Sequence, residues 1–161
     1  MKNNNSIKTV VAIGIGAALF FVLGRFVAIP SPVPNTNISL QYAVLGLLAA
    51  MYGPVAGGLI GFIGHTLIDL SWGGSPWWSW VITSAFVGVV IGLFAKKLQV
   101  QEGDFGKGKV AVFTVANVIA HGVGWVVVAP VLDIVIYAEP ANKVFAQGAF
   151  AAVSNTITGV V

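Results

Sequence analysis

Long apolar runs alternate with short polar breaks along nearly the whole chain. The first run covers residues 7–27 and ends at a cluster of Pro30, Pro32 and Pro34 with Asn35 and Asn37. Proline lacks an N–H and disfavours helix in the residue before it, so this cluster predicts an extended loop. Residues 38–51 predict a second helix, Tyr52-Gly53-Pro54 a tight break, and 55–70 a third helix. A loop over 71–76, with Gly73-Gly74 at its centre, leads into a fourth helix over 77–95. The segment 96–109 is the most polar of the chain and belongs in water. A fifth helix over 110–128 is expected to stop at Pro130. A polar connection, 133–143, then carries Glu139-Pro140, and a sixth helix begins near Val144. That helix is still apolar at Val161, without a polar flank, which suggests a C-terminus cut short.

Composition turns these runs into a membrane protein. Hydrophobic residues make up 57% of the 161 residues and charged residues only 8%. Soluble domains carry about 25% charged residues, and so few charges cannot coat a water-exposed surface. The expectation is one all-α domain over residues 1–161, a bundle of six transmembrane helices with lipid as its solvent. The first run is longer than the ~7–15 apolar residues of a secretory signal, so it reads as a retained helix. The second and third helices fall short of the ~20 residues that span a bilayer comfortably. They are expected to be tilted little, or irregular where one lines a cavity.

Basic residues orient the bundle. Lys2, Lys8, Lys96, Lys97, Lys107 and Lys109 lie on the side of the N-terminus, and only Arg25 and Lys143 on the other. The lysine-rich side, N-terminus included, is therefore expected to be cytoplasmic. The loops at 28–37, 71–76 and 131–143 then face outside. Trp72, Trp77, Trp78 and Trp80 gather at that outer end, as an aromatic belt would. Membrane helices associate where small residues let backbones approach. Three such stripes occur: Ala12 and Gly16 with Gly14 and Ala18; Gly53, Gly57 and Gly61; and Gly88 with Gly92.

Polar residues within the spans need partners or a wet cavity, because each costs about 2.5–3.5 kcal/mol to insert when charged. His65 and Asp69 share a face and continue the Gly53-Gly57-Gly61 stripe. Asn117, His121 and Trp125 repeat every four residues, as do Lys143 and Gln147, and Gln41 opens the second helix. In a six-helix bundle these groups gather in the outer half and describe a pocket open to the outside. Trp77, Trp78 and Trp125 are suited to stacking a flat ring, and His65, Asp69, His121 and Gln147 to orienting it. The plainer alternatives stand beside this. His65–Asp69 and Asn117–His121 also suit internal hydrogen bonding. Asp133 and Glu139 suit solvated loops, and Trp72 and Trp80 suit belt anchors.

Enzymatic chemistry finds little footing. There is no cysteine, no Walker-type phosphate loop and no His-Glu-x-x-His pattern, and Ser84 and Ser154 lack an obvious base. No catalytic residue, metal site or cofactor is expected. No basic stripe exists to hold nucleic acid.

The order of these features resembles the S components of energy-coupling factor (ECF) transporters, near their riboflavin-type branch. The resemblance covers essentially the whole chain. It rests on residues 7–18, the Ile29-Pro30-Ser31-Pro32-Val33-Pro34-Asn35-Thr36 loop, Leu40-Gln41-Tyr42-Ala43, Gly53-Pro54, Gly61-Phe62-Ile63-Gly64-His65 and Pro76-Trp77-Trp78. It continues in Tyr137-Ala138-Glu139-Pro140-Ala141-Asn142-Lys143-Val144-Phe145. It implies a six-helix, multi-pass protein of the bacterial plasma membrane that captures a vitamin or its precursor from outside. It also implies partners, namely a membrane T component and two ATPase subunits, and a bundle that topples in the membrane. Its T-component face would be Ala12 and Gly16, or Gly14 and Ala18. The candidate ligand residues are Gln41, His65, Asp69, Trp77, Trp78, Asn117, His121, Trp125, Glu139, Asn142 and Gln147. Hydroxymethylpyrimidine, pyridoxine and riboflavin-like molecules are the candidate ligands. The competing reading is a stand-alone secondary transporter with a proton relay through His65, Asp69 and His121. The two halves show no clear repeat, which counts against it.

Overall fold

The computed structural model describes residues 2–103 and 105–160. The first helix, α1, runs over Lys2–Phe26. The proline cluster that ends it folds as a two-stranded antiparallel hairpin, β1 (Ile29–Pro30) with β2 (Asn37–Ile38), Ile29 facing Ile38. Its tip is fastened by Ser31 Oγ, which accepts from Val33 N at 3.0 Å, and by Thr36 Oγ1, which donates to Val33 O at 2.7 Å. Asn35 takes a left-handed conformation there, φ 61°.

α2 covers Gln41–Tyr52, starting three residues later than the apolar pattern suggests, because Ile38 is held in β2. α3 (Pro54–Ser71) follows at once. Gly53 makes that abrupt joint, at φ 90°, a conformation that side chains resist. Proline then suits the first helical position, where its missing N–H costs nothing. α4 spans Trp78–Leu93 and bends by 41° into the short α5 (Ala95–Leu98).

The largest departure from expectation lies beyond. α6 (Lys107–Val123) does not stop before Pro130. A π-helical turn, Gly124–Val128, widens the helix, and α7 (Ala129–Tyr137) continues past the proline. A widened turn already lacks the regular bonding pattern that proline would break, so Pro130 fits near the start of α7. Residues 131–137 are therefore helical rather than loop. Ala138 closes α7 in the left-handed region, and α8 (Ala141–Val160) follows.

Three helical segments are individually long and apolar enough to cross a bilayer: Ser6–Phe26, Pro54–Ser71 and Lys107–Tyr137. The bent α4–α5 pair would make a fourth, and Gln41–Tyr52 is apolar but shorter. The all-α membrane character is thus plain, on fewer clear spans than the six expected. Large apolar side chains cover the exterior, among them Val10, Val55 and Val135, each more than two-thirds exposed, as a lipid-facing surface requires.

Backbone contact holds α3 to α4. A Cβ on Gly57 would lie 2.3 Å from Gly88 O, and one on Gly88 2.2 Å from Gly57 O. Gly61 presses on Ser84 O, and Gly92 on Gly53 and Pro54. Both stripes therefore pack inside the protein. On α1 the stripe divides: Ala12 and Gly16 are buried, Gly16 against Leu48 and Ile60, while Gly14 and Ala18 are exposed. α8 approaches the π turn through Gly148, where a Cβ would meet Trp125 O at 2.0 Å.

Candidate functional site

The glycine stripe of α3 changes material after Gly61. The next two positions on that face are His65 and Asp69, and here side chains separate the helices that glycines bring together. His65 Nδ1 lies 2.6 Å from Ser84 Oγ on α4, and Ser84 Oγ lies 2.8 Å from the Tyr42 hydroxyl on α2. His65 Nε2 is 3.8 Å from Asp69 Oδ1, and Asp69 Oδ2 accepts from the Trp77 backbone N–H at 2.8 Å. This chain ties three helices and the 72–77 loop around one space.

That space is a cavity of about 620 Å³. The hairpin contributes Asn35, Thr36 and Asn37, α2 Gln41 and Tyr42, and α3 His65 and Asp69. Trp72, Trp77, Trp80 and Trp125 supply aromatic surface, and Asp133, Glu139, Lys143, Gln147 and Asn155 the remaining polar groups. Volume and lining fall within the range of small-molecule sites, apolar and aromatic walls with a few placed polar groups.

One buried carboxylate organises the aromatic wall. Asp133 Oδ1 accepts from Trp77 Nε1 at 2.6 Å and from Ser79 Oγ, and Oδ2 accepts from Trp80 Nε1 at 3.0 Å. Asp133 is 3% exposed, which corrects its reading as a solvated loop charge. The physical reason is the helical continuation through Pro130, which carries residue 133 inward on α7. Trp80 is likewise no belt anchor; its N–H is committed to Asp133. Trp77 stacks on Tyr137 with ring centroids 3.9 Å apart, so one of its faces is covered by protein. Glu139 is partly buried and pairs with Lys143 at 2.7 Å rather than standing in solvent.

Seven of the eleven residues expected in the site line the cavity: Gln41, His65, Asp69, Trp77, Trp125, Glu139 and Gln147. Gln147 Nε2 donates to Pro34 O at 2.8 Å, joining α8 to the hairpin. Four lie elsewhere. The Trp78 ring stacks on Phe62, 6.1 Å between centroids, and Asn142 is exposed at the start of α8. Asn117 and His121 are fully buried beneath the lining. His121 Nδ1 accepts from Trp125 Nε1 at 3.2 Å, so it reaches the cavity through that indole. Asn117 Oδ1 and His121 Nε2 have no hydrogen-bond partner among the described residues. Both lie beside Gly159, where a Cβ would be 2.9 Å and 3.4 Å from them. Of the residues expected in a proton relay, His65 and Asp69 lie side by side, and among the described residues no direct hydrogen bond joins His121 to either.

The sequence reading gives Trp72, Trp80 and Asp133 other roles, and it names neither Tyr42, which lies within the Leu40-Gln41-Tyr42-Ala43 stretch, nor Asn155 as a ligand residue. Arg25 lies over Trp72, 3.7 Å from the ring centroid, and donates to Ser71 Oγ at 2.9 Å. Among the described residues no group of three or more His, Cys, Asp or Glu side chains is placed to hold a metal ion.

The family described as ECF-type riboflavin transporter, S component, matches residues 4–161. A UPF0397 protein of Exiguobacterium is 54% identical over 97% of this chain and 85% of its own length. UPF0397 proteins of Streptococcus agalactiae (56% identical, 97% of this chain, 86% of theirs) and Clostridium perfringens (53%, 98% and 85%) are similar to the same extent. No solved structure matches the chain.

Proposed function

Because this chain belongs to the family of ECF-type riboflavin transporter S components, we propose that it captures a small, flat, water-soluble vitamin or vitamin precursor for ATP-driven uptake. Hydroxymethylpyrimidine, pyridoxine and riboflavin-like rings are the candidate ligands. The observation that carries this reading is the tryptophan-walled cavity, in which the polar residues of α2, α3, α7 and α8 converge. Ring faces of Trp77 and Trp80, oriented by Asp133, supply the stacking surface. His65, Asp69 and Gln147 supply hydrogen bonds at its edge. The hairpin, joined to α8 through Gln147 and Pro34, roofs the site on the side proposed to face outside.

Energy comes from other chains in this reading, a T component and two ATPase subunits. Gly14 and Ala18 form the exposed half of the α1 stripe and are the positions proposed to meet the T component, since Ala12 and Gly16 are occupied by packing inside the protein.

The test is mass spectrometry of small molecules retained by the protein purified alone in detergent, beside a Trp77→Ala variant. Retention of one aromatic vitamin or precursor by the native chain, lost in the variant, is the expected result. Proton-coupled flux in vesicles lacking T component and ATPases, with no retained molecule, would replace the capture role by a carrier.

A further inference from the structure

Within the capture reading, the charges lining the cavity narrow the ligand class. Three carboxylates, Asp69, Asp133 and Glu139, line it against a single ammonium, Lys143. Glu139 and Lys143 neutralise each other at 2.7 Å. Among the described residues Asp69 has His65 at 3.8 Å as its sole basic neighbour, and its other oxygen accepts from the neutral Trp77 backbone N–H. Among the described residues Asp133 is met by neutral donors, two indole N–H groups and the Ser79 hydroxyl. Arg25 stacks over Trp72 and is not among the lining residues. Even with His65 counted as a cation, the lining keeps an excess of negative charge.

The aromatic wall has the same preference. Indole faces attract cations through the ring quadrupole, and more strongly away from water. An indole whose N–H donates to a carboxylate has a more electron-rich ring, since hydrogen-bonded groups polarise one another. Trp77 and Trp80 both donate to Asp133. We infer that this cavity selects a flat nitrogen heteroaromatic that carries a positive charge, on a ring nitrogen or an attached ammonium, and discriminates against carboxylate- or phosphate-bearing rings. An anion would meet a lining with an excess of negative charge, in a site where solvent screens poorly.

Tryptophan fluorescence provides the test. Four of the five tryptophans line the cavity, and Trp78 is the exception. In a Trp78→Phe host every remaining indole reports on the site. Three probes of nearly one shape differ in charge: 1-methylnicotinamide (cation), nicotinamide (neutral) and nicotinate (anion). The expected order of quenching is cation over neutral over anion, at least tenfold between the first and the last. Asp69→Asn and Asp133→Asn should each compress that order, and the milder Asp69 change guards against a folding defect in the other. Equal quenching by the three probes, or a lead for nicotinate, overturns the charge inference. Saturation is read separately: saturable quenching of equal strength by all three keeps the binding cavity and removes only its charge preference. Linear quenching equal to that of free tryptophan removes both.

Discussion

The two ends of the α3–α4 pair are built from opposite materials. Toward the α2–α3 joint, Gly57 and Gly61 meet Gly88 and Ser84, and Gly92 meets Gly53 and Pro54, backbone to backbone; Gly57, Gly61, Gly88 and Gly92 leave no room for a methyl group. Toward the 72–77 loop the same face carries His65 and Asp69, and the space between the helices is spanned by side-chain hydrogen bonds to Ser84 and to Trp77 N. The lesson is a division of labour along one helix face. Dispersion between close backbones supplies rigidity in a solvent that offers no hydrophobic drive. Polar groups, otherwise costly in lipid, are confined to the end where they face a cavity and one another.

The comparison breaks most visibly at the glycine end. Gly57→Val would drive a branched side chain into Gly88 O, and overpacking of about 3 kcal/mol should lower the Tm in detergent by roughly 5–10 °C. An unchanged Tm would mean the helices are held elsewhere. At the cavity end, His121→Ala removes the acceptor of Trp125 Nε1 and should weaken ligand binding about tenfold, ~1.4 kcal/mol, through disorder of that indole. A titration with the retained ligand reads this, and unchanged affinity returns His121 to packing alone. Gln147→Ala detaches α8 from the hairpin, one hydrogen bond of about 0.5–1.5 kcal/mol, and should speed ligand release two- to tenfold in stopped flow. Trp78→Phe sharpens the contrast from the other side: its ring stacks on Phe62 away from the lining, so affinity should stay within about twofold.

The glycine stripe and its polar continuation were legible because a period of four on one helix needs no tertiary knowledge. The hairpin was legible as a break, since prolines exclude helix, but two-residue strands leave no alternation to read. Asp133 was misjudged for a definite reason. Proline is a sound terminator in an ordinary helix, and nothing in Gly124-Trp125-Val126-Val127-Val128 announces a π turn that admits it. With α7 read as loop, Asp133 fell in water and Trp80 lost its partner. The burial of Ala12 and Gly16 in preference to Gly14 and Ala18 also depended on neighbours far away in sequence, Leu48 and Ile60 for Gly16. Tyr42 and Asn155 looked like ordinary helical residues, because only the approach of α2, α4 and α8 gives them a shared cavity.

Sidedness bears on every part of the account, and the absence of native cysteine makes it directly measurable. Asn37→Cys, exposed at the cavity mouth, and Gln101→Cys, exposed in the lysine-rich segment, would each be offered a membrane-impermeant maleimide on intact cells. The account predicts labelling at residue 37, slowed by bound ligand, and labelling at residue 101 only after the cells are opened. Labelling of residue 101 from outside, with residue 37 protected until lysis, would place the cavity on the wrong side of the membrane for capture.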